Sequence, residues 1–334
     1  LSVFETLAVP FPATIQDLGR VGYRHFGVPV SGALDRVSLK LANALVGNRP
    51  DAAALEMRFV GPKLRALTTV RMALAHAEAT IERNDGSRVR LPPWQTATLA
   101  AGECLDIHRV HGGVGYLAVT GGFATPLVLG SRSTDLRAGW GCALCEGTTL
   151  PVGDGECAGP ERRLSLPAFP AGPIRVIPGP QAERFTAAAW ETFLSDAYTV
   201  TEQADRMGLR LAGPPLTHRG GADIVSEGVA PGSIQVPADG QPIVLLADAQ
   251  TVGGYAKIAT VISADLPRLG RMLPGASLRF TVVDLAAAQA ALIEEQAWLT
   301  RALASIRPVT EEDAAIDQAA LYEANLIDGV VYGE

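Results

Sequence analysis

The run Gly112-Gly113-Val114-Gly115-Tyr116-Leu117-Ala118-Val119-Thr120-Gly121-Gly122-Phe123-Ala124-Thr125-Pro126-Leu127-Val128-Leu129-Gly130-Ser131 carries no charged side chain. Its length suits a membrane-spanning helix, which needs about 20 apolar residues. Yet Gly112, Gly113, Gly115, Gly121, Gly122 and Pro126 divide it into pieces of strand length, which a lone helix in lipid does not tolerate. The run reads as buried sheet and turns. The same texture continues outward: 35 Gly and 23 Pro punctuate β-type runs such as Thr69-Val70-Arg71-Met72, Ile174-Arg175-Val176-Ile177 and Ile243-Val244-Leu245-Leu246. Short strands at such spacing point to barrels or sandwiches.

Helical periodicity is clear in three places. Asp35 caps a predicted helix through Val37, Leu41 and Leu45 that stops at Gly47. A second buries Phe185, Trp190, Phe193 and Leu194. A third follows Asp284 and buries Leu285, Ala288, Leu292, Leu299 and Leu303, packed on its own barrel. A weak duplication relates Gly61-Pro62-Lys63-Leu64 to Gly213-Pro214-Pro215-Leu216, and Gly102 with Leu105 to Gly275 with Leu278. The second interval is longer, and Gln235 to Tyr255 accounts for the surplus. The proline-rich stretch from Pro160 to Pro173 marks the junction. The expected units are 1–165, 173–305 and a C-terminal extension, 306–334.

With 334 residues, 48% of them hydrophobic, the chain can bury substantial cores without disulfides or a structural metal. A net charge of -7 with no basic cluster argues against nucleic acid or an anionic membrane as partner. Leu1 to Glu5 has no basic n-region, and four cysteines fit a reducing compartment, so a cytoplasmic location is expected. Cys142 and Cys145 have zinc-ribbon spacing but no second tight pair, and no metal is expected. P-loop, G-x-S-x-G, H-E-x-x-H and dinucleotide fingerprints are all missing.

The densest polar stretch runs from Gly232 through Asp239-Gly240 to Asp248-Ala249-Gln250-Thr251-Val252-Gly253-Gly254-Tyr255-Ala256-Lys257. Two successive strand-turn-strand units would put Gln235, Asp239, Asp248, Gln250 and Thr251 near sheet ends, where side chains can be aimed at a ligand. Tyr255 and Lys257 would share a face. Gly253 and Gly254 let backbone N–H groups approach an anion, with Lys257 supplying charge; the same residues also read as a glycine turn beside a solvated lysine. Arg132, among Ser131, Ser133 and Thr134, either clasps an anion or pairs with Asp135. Asp205-Arg206-Met207-Gly208-Leu209-Arg210 is similarly open, since a two-sided strand keeps its charges in water.

Thr14-Ile15-Gln16-Asp17-Leu18-Gly19-Arg20-Val21-Gly22-Tyr23, Gly27-Val28-Pro29-Val30-Ser31-Gly32-Ala33-Leu34-Asp35, Gly130-Ser131-Arg132-Ser133-Thr134, Asp205 to Leu211 and Ser226 to Asp265 together resemble the family of the 5-oxoprolinase C-type subunit, also known as allophanate hydrolase subunit 2 or the biotin-dependent carboxyltransferase domain. The resemblance implies a mainly β fold with a few helices, built as two tandem cyclophilin-like β-barrels. It implies a role with B-type and A-type partner subunits in ATP-dependent opening of 5-oxo-L-proline to L-glutamate, with ATP bound either by this chain or by the complex it joins. The B-type partner is the one also known as allophanate hydrolase subunit 1. Carboxyl transfer from carboxybiotin is an alternative; since the chain lacks an A-M-K-M-type biotinylation motif, it would need a separate carrier. A regulatory protein that antagonises a B-type kinase inhibitor is another. The family pattern places an arginine after Gly141, where this chain has Cys142.

Taken with that resemblance, the polar residues receive roles. Lys257, Arg132 and the Gly253 and Gly254 amides bind an anion; Gln235, Gln241 and Gln250 orient substrate; Asp239 or Asp248 is the base. Ser133, Thr251, Tyr255 and Arg210 complete the expected substrate surroundings.

Overall fold

The computed structural model describes residues 2–310 and residue 313; the expected extension beyond these lies outside the described residues. Among the described residues the chain is mostly β, with four α-helices: α1 (Arg36–Leu45), α2 (Ala187–Ser195), α3 (Leu266–Gly270) and α4 (Leu285–Ala304).

The opening run becomes the strand Gly115–Val119, buried at every position. It is central in a five-stranded antiparallel sheet ordered Ala13–Gln16, Ala54–Met57, Gly115–Val119, Val70–Ala75, Thr96–Leu99. Leu117 and Val119 enter the core shared with a six-stranded sheet, while Tyr116 and Ala118 on the opposite face meet α1. Covering on both faces explains why no polar alternation marks this strand. Asp35 starts α1 as expected, its carboxylate accepting the N–H groups of Val37 and Ser38 at 3.0 Å each.

The second half forms an eight-stranded sheet ordered Ser277–Leu278, Tyr198–Val200, Gly208–Ala212, Ile243–Leu245, Ser233–Gln235, Lys257–Val261, Ile174–Pro178, Phe280–Val282. The end strands are separated in sequence by Arg279 alone, so the sheet curls into a nearly closed barrel. Ile234, Val244, Ile258 and Phe280 are among its core residues. Helix α2 buries Phe193, stacked on Phe280 with centroids 4.5 Å apart, and leaves Leu194 37% exposed, contrary to expectation.

Helix α4 also differs from its sequence reading. It buries Ala291, Trp298, Leu299 and Ala302 and exposes Leu285, Leu292 and Leu303. Trp298, Leu299 and Ala302 pack in the α1 core of the first half rather than on the second barrel alone. The chain then returns, and Ile306–Pro308 pairs antiparallel with Arg162–Leu164 at the start of the linker.

Candidate functional site

The hairpin expected around Asp239-Gly240 forms, with Ile234 paired to Val244 and Gln241 N–H bonded to the Asp239 carboxylate. The second expected hairpin does not. The strand Val252–Tyr255 pairs with Asp223–Gly228 instead, making a separate two-stranded ribbon. Tyr255 ends that ribbon, exposed, while Lys257 begins a barrel strand, buried, so the two do not share a strand face.

Beneath the ribbon lies a polar cluster. Gln235 and Lys257 are direct cross-strand partners. Ile234, Val236 and Ile258 fill the barrel core, so alternation turns Gln235 and Lys257 outward, under the ribbon. A Cβ on Gly253 would fall inside 3.0 Å of Gln235 Nε2, so the ribbon lies directly over the Gln235 amide. Both buried residues are only 2% exposed. The Lys257 ammonium pairs with Glu227 Oε1 at 2.8 Å, and that same oxygen accepts a 2.8 Å bond from the Gln181 amide. Lys257 and then Gln181 hold the half-exposed Glu227 carboxyl below its usual range. Gln235 Nε2 is a buried donor without a partner among the described residues; apart from this cluster, Arg24 Nη2 donates to the carbonyl of Val229, one residue past the ribbon strand. The cluster thus unites a cation, an unused donor and a half-exposed carboxylate, which suits a ligand bearing a carboxylate or amide oxygen.

The remaining expected residues serve other ends. Gly253 and Gly254 sit in a paired strand, neither with the positive φ that an anion nest needs, so their amides form no cradle for phosphate. Asp248 grips Arg206 bidentately, at 2.7 and 3.0 Å, and is not free as a base. Asp239 closes its turn. Gln241 staples Gly213 through both amide atoms, at 2.9 and 3.1 Å. Thr251 is buried, its carbonyl accepting the Val229 N–H, whereas Gln250 and Arg210 are exposed. In the first half, Arg132 donates its backbone N–H to Asp17 and its guanidinium to the Thr125 carbonyl, so Asp135 is not its partner. Ser133 is buried on Asp17. Among the described residues no group of three or more His, Cys, Asp or Glu is placed to hold a metal, and Cys142 and Cys145 are exposed.

Sequence reasoning missed the buried polar seam between the halves. Arg206 bonds Glu56, Asp248 and the Gly32 carbonyl together. Burial works against its charge, but Glu56 and Asp248 overcome this and hold its pKa above the usual value. Glu56 also accepts from Tyr116 hydroxyl (2.7 Å) and Leu34 N–H (2.9 Å). Arg20, 1% exposed, donates to the Ser133 carbonyl and stacks 5.0 Å from the Trp140 ring centre. Its nearby carboxylates, Asp135, Asp17 and Asp248, link the Ser133 loop to Asp248 electrostatically. Only the clustering of Asp17 with Arg20 and of Asp205 with Arg206 signalled these residues.

Asp35, Ser38 and His76 form a further buried set. The Ser38 hydroxyl gives its one hydrogen to Asp35 Oδ2 at 2.6 Å, so His76 Nε2–H donates to Ser38 Oγ at 2.9 Å. Burial pushes the His76 pKa down to about 4 from 6.5. Between those values the unfolded chain binds a proton that the folded one rejects. Stability from this group is therefore complete above pH 6.5 and falls by about 3 kcal/mol as pH drops to 4. Urea titrations at pH 7 and pH 4 should show that loss in wild type and not in His76→Gln; equal losses would refute it.

No described helix is long and apolar enough to cross a membrane. Residues 26–282 match the carboxyltransferase domain, subdomains A and B, and the chain belongs to that family. Its relatives include the C-type subunit of 5-oxoprolinase from Escherichia coli (strain K12), 37% identical over 291 residues that span 85% of this chain and 92% of that one. A crystal structure of TTHA0988 superposes with a TM-score of 0.75 at 36% identity, covering 84% of this chain and 55% of that one. Kluyveromyces lactis urea carboxylase superposes with a TM-score of 0.81 at 26% identity, covering 93% and 30%. The chain thus spans about half of the former and under a third of the latter.

Proposed function

We propose that this chain is the C-type subunit of a 5-oxoprolinase, acting with a B-type and an A-type subunit to hydrolyse 5-oxo-L-proline to L-glutamate at the expense of ATP. The observation that carries this reading is the match to the Escherichia coli C-type subunit over 92% of that protein's length. The two barrels, read as 1–165 and 173–305, present the cluster beneath the ribbon as this subunit's share of the site. Lys257 and Gln235 bind the carboxylate or the lactam oxygen of substrate, where negative charge grows as the ring opens, and Glu227 swings out to admit it. ATP is assigned to the complex and not to the Gly253 and Gly254 amides, which offer no phosphate cradle.

The test is glutamate release from 5-oxoproline and ATP by the A-type and B-type subunits, with and without this chain. Release is expected to depend on it. Lys257→Ala is expected to lower turnover by a factor on the order of 100 or more, the cost of removing one preorganised charge stabiliser. Unchanged turnover would remove Lys257 from the chemistry. The resemblance to urea carboxylase favours a second reading, carboxyl transfer, which predicts stimulation by a biotinylated carrier and no glutamate release.

A further inference from the structure

Helix α4 lies beyond residue 282, where the family match ends, and it walls a cavity of about 460 Å³. Nothing in the proposed reaction uses this space. Its size falls in the range of small-molecule sites, about 300–1,000 Å³. Phe169 from the linker, Val37 from α1, Pro267 from α3 and Trp298 from α4 give it apolar walls, so both halves of the chain build it.

The charges on its lining are unequal in availability. Arg175 and Arg268 are both held by Asp265, at 2.8 and 3.2 Å. Arg271 is held by Asp35 at 3.0 Å and lies 4.0 Å over the Phe169 ring. Arg301 also lines the cavity, one turn beyond Trp298, and has no hydrogen-bond or ion-pair partner among the described residues. One free guanidinium matches one carboxylate, with its planar fork available for a bidentate pair. On the same wall Glu295 is paired with Arg36 at 2.8 Å, and Glu294 is left to repel a more highly charged anion.

We propose that this cavity binds a small monocarboxylic acid with an aromatic or branched apolar body, the body against the wall formed by Pro267 and the mutually packed Phe169 and Trp298 rings, and the carboxylate on Arg301. Phenylacetate serves as the probe, with 2-phenylethanol as a neutral control and phenyl phosphate as a dianionic one, titrated calorimetrically into the full chain. Phenylacetate is expected to bind with one-to-one stoichiometry and each control about tenfold or more weakly, a difference of about 1.4 kcal/mol. Arg301→Gln should cost phenylacetate a similar factor while leaving 2-phenylethanol unchanged. Ala171→Trp, at an exposed lining position on the linker, should abolish binding of all three by filling the mouth. Both positions are exposed, so unchanged melting without ligand will show that the variants fold. Absence of saturable phenylacetate binding at about 10 mM, well above the millimolar level of weak ligands, or binding that survives either substitution unchanged, overturns the assignment. Tighter binding of phenyl phosphate overturns the monocarboxylate class.

Discussion

Arg206→Ala is expected to destabilise the protein by about 3–5 kcal/mol, because it strands two carboxylates in the seam between the halves. Glu56 is 3% exposed, and the Asp248 side chain is 13% exposed. Neither reaches water easily, and each loses its cation at once. Arg206→Lys keeps the charge but cannot reproduce a fork that reaches Glu56, Asp248 and the Gly32 carbonyl together, so an intermediate loss is expected. The triple variant Arg206→Met, Glu56→Gln, Asp248→Asn should recover much of the stability, since the penalty comes from unpaired charge rather than from the absence of a pair. Guanidinium titrations of the three variants measure this directly. A loss under about 1 kcal/mol in Arg206→Ala, typical of an exposed ion pair, would show that the seam admits water.

Gly113→Ala should be nearly as damaging, and its neighbour provides the control. Gly112 and Gly113 both have positive φ, 65° and 85°. A Cβ on Gly112 meets nothing within 4 Å, whereas one on Gly113 falls well inside 3.0 Å of the Arg271 carbonyl oxygen. Gly112→Ala therefore carries only the left-handed backbone cost of about 1–2 kcal/mol. Gly113→Ala adds overpacking, typically about 1–3 kcal/mol. Here the obstacle is backbone from the opposite half, which cannot yield as a side-chain tip does. Arg58 fixes the same junction, donating to the carbonyls of Gly113 and Met272 at 3.2 Å each. Thermal melts of the two variants should differ by several degrees; coincident melts would mean that the halves separate there without cost.

Much of this architecture is legible in the chain. Glycines and a proline in the uncharged run settle sheet over span, Asp35 marks the start of α1, and Asp239-Gly240 marks a hairpin, because turns and caps act over a few residues. Helix α4 misleads for a physical reason: its heptad-like leucines suggest one buried face, but Trp298 with Leu299 and Ala302 are what α1 accommodates, leaving Leu285 and Leu292 outside. The candidate site is legible in part. Lys257 and Gln235 stand out as polar residues between apolar strands, but Glu227 and Gln181 join Lys257 from distant segments that no local spacing reveals. Asp248 illustrates the converse. It looks like a free carboxylate in sequence, and only long-range pairing ties it to Arg206.

The pairing of Arg162–Leu164 with Ile306–Pro308 has a topological consequence. Everything between those strands leaves and re-enters the first half through a single doorway, like an insert spliced into a host. Growth or exchange of that insert need not disturb the host's own strand order, and a deletion that joins Leu164 to Ile306 would remove the insert without cutting a strand of the host's five- and six-stranded sheets.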